Sequence, residues 1–332
     1  MDGGEFSFNR LEYLTYTYQR EEAATELIKL LNHLQTHDGE LAPLGDTPSG
    51  HVGADRRDGH FATRIASVVT ALFSDPNFHV SEEGFLRLIP LQPWLATIFG
   101  ASPIGNADHI IRIFNQLGYE QASPLTLNDA DLLKFCLLYS PDSQIPLEPE
   151  ILWQKNKRLA AGLFVALLSP RFVATEEAHA KREQLLAWLP PKLREVSLDD
   201  LPLPIVVSVW MHCSYAQRTD KHLIKRAINE LIRAKLLSVG ITDLPAPSPV
   251  LRDKPVIMCI LEWFHSNHSI YRTHSLSMAA LKAKYHVVGI SLHGLSDAIS
   301  RAVFDEVHIF PRGQSPLDTV KQVRELAATL CP

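Results

Sequence analysis

Apolar residues recur along most of the chain with a helical period. Leu27, Leu30, Leu31 and Leu34 form an i, i+3, i+4, i+7 stripe, and Ile65, Val68, Val69, Leu72 and Phe73 form another. Start signals stand before several such segments. Ser81 precedes Glu82 and Glu83, Asn106 precedes Asp108, Asn128 precedes Asp129, and Thr175 precedes Glu176 and Glu177. Each supplies a capping oxygen and then acidic groups where free amides and the helix dipole favour them. Gly118 after Leu117 and Pro141 after Tyr139-Ser140 read as stops. Pro90 and Pro93 inside one apolar run predict a kink or break.

His37 to Gly59 carries five glycines and two prolines with no core stripe, so it reads as an exposed loop. Leu203 to Met211 is β-branched enough to pass for a buried strand, but its neighbours are helical and we expect a buried helix. Lys221 to Val239 predicts an amphipathic helix, with Ile224, Ala227, Ile228, Leu231 and Ala234 on one side. Its basic residues are explained as solvated charge. No repeat of fixed period is present, so the helices form an irregular bundle.

The pattern changes after Leu244-Pro245-Ala246-Pro247-Ser248-Pro249, which suits an extended linker. Val256–Leu261 is an apolar run of strand length. A helix from about Ile270 to Lys284 follows, then a strand at His286–Ile290, a helix at Leu295–Val303, a strand at Glu306–Phe310 and a helix at Leu317–Leu330. Doubly buried strands alternating with helices predict a parallel sheet. The fold class is therefore mainly α: an irregular all-helical domain over 1–243, a linker over 244–253 and a partial Rossmann-like α/β segment over 254–332. A doubly wound domain typically has about six strands, so the second domain reads as unfinished.

Apolar residues are 46% of the 332 and charged residues 21%, with a formal net charge of −5. A wholly disordered chain is excluded, and the balance argues against a strong electrostatic footprint for nucleic acid, though not against local basic patches. Cys136, Cys213, Cys259 and Cys331 are far apart and outside any C-x-x-C pair, which argues for a reducing compartment. The start shows no signal peptide, and no apolar run is long enough to span a bilayer, so a cytoplasmic chain without membrane insertion is expected.

The densest polar constellation follows the first predicted strand, from Glu262 through His265, Ser266, Asn267, His268, Tyr271 and Arg272 to His274 and Ser275. Ligands of open α/β sheets bind outside the carboxyl ends of strands, and a helix beginning near His268 offers amides to an anion. His268, Tyr271 and Arg272, at i, i+3, i+4, share one helix face. They bring a proton acceptor or donor, a phenol and a guanidinium. Two alternatives stand beside a site: a metal held by His265, His268 and His274, or histidines that cap the helix and satisfy buried polar groups. His212-Cys213 invites a nucleophile reading but lacks a third, orienting group. Asn106-Ala107-Asp108-His109 is most simply a helix cap. Neither a dinucleotide fingerprint nor a P-loop occurs.

Lys254-Pro255-Val256, the run His265-Ser266-Asn267-His268-Ser269-Ile270-Tyr271-Arg272-Thr273-His274-Ser275 and Phe304-Asp305-Glu306-Val307-His308 resemble the bacterial cytoplasmic N-glucosyltransferases that modify high-molecular-weight adhesins. The resemblance covers most of the chain. Upstream it includes Thr70-Ala71-Leu72-Phe73-Ser74-Asp75-Pro76, Asn106-Ala107-Asp108-His109-Ile110, Lys134-Phe135-Cys136, Ser169-Pro170-Arg171-Phe172 and Met211-His212-Cys213-Ser214-Tyr215. It implies an all-helical domain packed on a GT-B glycosyltransferase of two Rossmann-like lobes. That family is related to the enzymes that attach N-acetylglucosamine to serine and threonine.

The resemblance further implies inverting, metal-independent transfer of glucose from UDP-glucose to asparagine in Asn-x-Ser/Thr sequons, with no resident cofactor. His268 matches the position implicated in catalysis, and His265 matches the first histidine of the pair. Acceptor contacts are expected from His265, Tyr271, Arg272 and His212. The chain stops after the third βα unit, so the expectation is the acceptor half of such an enzyme, without the donor lobe and without turnover alone. Expected partners are an adhesin-type protein or peptide and, where the lobe is encoded apart, a donor-lobe chain. A non-catalytic helical binding module, or a truncated remnant, is the alternative.

Overall fold

In the computed structural model the chain divides into two units, Met1–Lys235 and Leu236–Pro332. The structure describes residues 6–36, 51–114, 127–244, 253–261, 264–292, 297–311 and 313–330. The stop at Gly118 and the prolines at 245, 247 and 249 lie outside them.

The first unit is helical. Its elements are α1 (Phe8–Tyr16), α2 (Arg20–Thr36), α3 (His51–Ser74), α4 (Glu82–Leu88), α5 (Gln92–Gly100), α6 (Asp108–Phe114), α7 (Asp129–Leu138), α8 (Pro149–Lys155), α9 (Lys157–Leu168), α10 (Glu176–Lys192), α11 (Leu203–His212) and α12 (Leu223–Ser238). The cap signals act as their chemistry requires. Ser81, Asn128 and Thr175 accept from the amides of Gly84, Asp131 and Ala178, and Asn106 Oδ1 accepts from Asp108 N–H at 3.0 Å. The two prolines after Leu88 break the run into α4, a 3-10 turn at Ile89–Leu91 and α5.

The core centres on α9, whose residues from Leu159 to Leu168 are all buried. A helix apolar on every side must be surrounded, and α9 packs against α5, α7, α8, α10 and α11. Gly162 admits the Phe85 ring, because a Cβ there would lie 3.3 Å from Phe85 Cε1 and Cζ. The buried Lys134 ammonium donates to the carbonyls of Phe73 at 3.2 Å and Asp75 at 3.1 Å. It thus closes the carboxyl end of α3, where the helix dipole favours a cation.

Two expectations need correction. The loop read over His37–Gly59 is helical from His51 onward, because α3 extends back through Gly53 and Gly59. The segment Leu203–Met211 is a helix, but only Ile205, Val206 and Val209 of it are buried. Leu203, Val207, Trp210 and Met211 form an exposed i, i+4, i+7, i+8 stripe.

His109 follows the α6 cap, with Nε2 3.0 Å from Thr70 Oγ1 and its ring edge-on to Phe99. Burial holds its pKa below the ordinary histidine value, partly offset by the Asn106 backbone and the Asp108 charge. The folded chain therefore keeps this ring neutral where the unfolded chain protonates it. Its contribution is present above pH 6.5 and is lost as pH falls through the lowered folded value. Urea unfolding at pH 7.5 and 5 is expected to show a loss of stability toward pH 5 that shrinks in His109→Gln. An equal loss in both proteins would refute this.

The second unit holds three parallel strands in the order β1 (Val256–Leu261), β2 (His286–Ser291) and β3 (Glu306–Ile309). Val256 pairs with His286, and Val288 with Glu306. Helix α13 (Ser269–Leu281) joins β1 to β2, α14 (Ala298–Arg301) joins β2 to β3, and α15 (Pro316–Leu330) follows. Alternation along each strand sends neighbours to opposite faces. Val287 packs with Leu261, Phe264, Val303, Phe304 and the α13 residues Met278 and Leu281. Val288 packs with Val256, Met258 and the α15 residues Leu326 and Leu330. Covering both faces of a parallel sheet with helices is the Rossmann-like pattern. Gly289 is needed there, since a Cβ would meet the Phe304 ring at 2.8 Å.

Candidate functional site

Phe264, 1% exposed, fixes the chain just beyond the carboxyl end of β1. Its ring meets Tyr271 edge-on at 5.3 Å and Phe304 at 5.3 Å. A turn follows, closed by His268 N–H donating to His265 O at 2.8 Å. The two imidazoles lie with centroids 5.4 Å apart and their planes tilted by 58°.

His268 is the N-cap of α13, and its Nδ1 accepts from Ile270 N–H at 3.3 Å. A neutral ring that accepts at Nδ1 carries its proton on Nε2. Capping and a chemical role are thus compatible, because they use different nitrogens. Tyr271 lies one turn on with its ring against Phe264, and Arg272 is exposed. The shared helix face therefore divides: Tyr271 leans on the apolar cluster while Arg272 faces solvent. His274 is also exposed. Among the described residues no group of three or more His, Cys, Asp or Glu side chains is arranged to hold a metal ion.

The turn is tied to the neighbouring strand's loop by Asp297. Its Oδ2 accepts from Ser266 N–H at 2.9 Å and from the Ser266 hydroxyl at 2.7 Å. Its Oδ1 accepts from Ser300 N–H at 2.7 Å, which caps α14. The Ser266 hydroxyl, then the Ser300 and Ser266 amides, hold the Asp297 carboxyl well below the ordinary range. Sequence reasoning missed this residue. Its signal was an Asp three residues before Ser300, which marks a cap and not a tie.

His212 belongs to the other unit, at the end of α11. Its Nδ1–H donates to the Ser169 carbonyl, and it lines a cleft of about 290 Å³ with Trp94, Thr97, Arg171, Pro204 and Ser208. Beside it the Arg171 guanidinium lies 5.0 Å from the Phe172 ring and 4.9 Å from the Tyr215 ring. Phe172 is 71% exposed, which is unusual for a large aromatic side chain. Cys213 is buried, and burial raises its pKa. A buried thiol with a raised pKa is a poor nucleophile.

Two profiles match the helical unit: residues 5–145 match the HMW1C N-terminal family and residues 150–236 match HMW1 domain 2. The chain belongs to the HMW1C-like family, as an N-terminal part of it. It is 37% identical over 325 residues to the UDP-glucose:protein N-beta-glucosyltransferase of Actinobacillus pleuropneumoniae serotype 5b (strain L20). It is 36% identical over 319 residues to the protein of the same name from serotype 7 (strain AP76). Each match covers 94% of this chain and 50% of the relative, so the chain spans about half the length of the curated relatives it matches. No helix among the described residues is long and apolar enough to cross a membrane.

Proposed function

We propose that this chain supplies the acceptor side of a cytoplasmic protein N-glucosyltransferase. It binds an Asn-x-Ser/Thr segment of a protein, adhesins being the expected class, and UDP-glucose is the glucose donor. The observation that carries this reading is the match over 94% of the chain to two UDP-glucose:protein N-beta-glucosyltransferases. The histidine turn at the carboxyl end of β1 supports it, since ligands of such sheets gather there.

In this reading the helical domain spans 1–243, the linker 244–253 and the first lobe 254–332. His268 holds a proton at Nε2 toward the reacting groups. His265, Tyr271 and Arg272 flank the acceptor, and His212 is an acceptor-contact residue on the helical unit itself. The nucleotide sugar is bound mainly by the part of the relatives that this chain does not cover.

Titrating the chain with a peptide carrying Asn-Ala-Thr, and with the same peptide carrying Gln-Ala-Thr, tests acceptor recognition. The asparagine peptide is expected to bind about tenfold more tightly, the difference of one well-made polar contact in a fitted site. Equal binding would overturn the reading. Co-expression with the remaining half of the Actinobacillus relative is expected to give UDP release that depends on the asparagine peptide. A second reading, a non-catalytic protein-binding module, is favoured by the exposed apolar stripe on α11. It expects binding without sequon dependence and no UDP release.

A further inference from the structure

We propose that Asp297 is a positioning residue, which sets the His265–His268 turn by bonding Ser266 from the loop after β2. The inference rests on the acceptor-side reading of that turn. Ser266 is the residue after His265, inside the turn closed by the His268 amide. Of its two donors, the hydroxyl can rotate to another partner, but the amide cannot. The Asp297 carboxylate receives both on one oxygen and spends the other on the Ser300 amide.

Two further features fit this assignment. Ser300 is fully buried, and its hydroxyl receives the Asp297 amide at 3.0 Å, so the carboxylate stands on a fixed base. Parallel pairing of β1 with β2 runs to Leu261–Ser291, so the two strands end side by side. The turn is then held at both ends: by Phe264 in the apolar cluster and by the capped start of α13. Asp297 fixes its middle. A hydrogen bond to a charged group is worth roughly twice one between neutral groups.

The test uses the 332-residue chain with labelled histidines, as wild type, Asp297→Asn and Ser266→Ala. The amide side chain of Asp297→Asn keeps an oxygen for the Ser300 amide, so α14 stays capped, but it turns an NH2 toward the Ser266 amide. Expected in Asp297→Asn are a changed pair of His265 and His268 ring resonances, a retained melting temperature and about tenfold weaker binding of the Asn-Ala-Thr peptide. Ser266→Ala keeps the amide bond and is expected to fall between wild type and Asp297→Asn. The double variant is expected to be no worse than Asp297→Asn, because both substitutions break one tie.

Wild-type ring resonances and peptide affinity in a folded Asp297→Asn chain would overturn the proposal. If Asp297→Asn fails to fold, Ser266→Ala decides: rings and affinity unmoved in it overturn the tie, and movement supports it. If the wild type does not distinguish the asparagine from the glutamine peptide, the acceptor reading fails. The histidine resonances of the variants then still show whether Asp297 orders the turn.

Discussion

Trp153→Ala is expected to cost the helical unit about 3–5 kcal/mol, the usual range for deleting a large buried aromatic side chain. Trp153 is 2% exposed and joins three elements. Its ring stacks on Phe164 of α9 at 6.4 Å and meets Trp188 of α10 edge-on at 5.4 Å, and Phe164 meets Trp188 at 5.5 Å. Nε1–H donates to Glu195 Oε2 at 3.2 Å, and the same oxygen pairs with Lys157 at 2.6 Å. Removing the indole empties the contact between α8, α9 and α10 around the most buried helix of the fold. For a unit of this size the loss converts to a melting temperature lower by roughly 6–20 °C. Trp153→Phe keeps most of the apolar area and gives up the hydrogen bond to an exposed carboxylate, so it is expected to lose far less. A thermal melt of both variants checks the claim, and similar small losses in both would show that the triad is not the keystone of the packing.

The readable parts of this chain were those whose cause is local. A capping oxygen and the amide it serves are three residues apart, so Ser81, Asn128 and Thr175 announced α4, α7 and α10. Apolar runs of strand length marked β1 and β2, of which β2 is buried from Val287 to Ser291, while β3, with no fully buried residue, was marked by its place in the alternation of strands and helices. The start of α3 was misread for the opposite reason. Gly53 and Gly59 argue locally for a loop, and each costs a helix only about 1 kcal/mol, which tertiary packing easily offsets. The same limit explains α11. Its composition announced burial, but which residues are buried depends on the helices around it.

The candidate site shows the same division. His265 and His268 were legible as a density of imidazoles after a strand, but the tie through Asp297 was not. Ser266 and Asp297 are 31 residues apart and meet only because β1 and β2 are parallel and in register. The arginine beneath two aromatic rings in the helical unit is equally remote in sequence, joining Arg171 to Tyr215. Contacts of that kind are set by topology, so a sequence names their members without pairing them. For the proposed enzyme this means that the chemistry-bearing side chains are easier to find than the groups that aim them.

His268→Asn in the chain co-expressed with the remaining half of the Actinobacillus relative is expected to lower UDP release by about 10²–10⁴-fold, the usual contribution of a positioned proton-transfer group. The choice of Asn separates the two tasks of this residue. Asparagine is among the best N-cap residues, and its side-chain oxygen can take over from Nδ1 at the start of α13. The helix and its contact with Phe264 through Tyr271 are therefore expected to persist, and the melting temperature with them. What Asn lacks is the second ring nitrogen, to which the proposed role assigns the proton. Alanine would confuse the two losses, since removing a cap costs about 0.5–2 kcal/mol and loosens the turn as well. A folded His268→Asn complex that releases UDP at the wild-type rate would leave His268 a capping residue and nothing more, and the reacting proton would have to be sought at another side chain of the assembled enzyme.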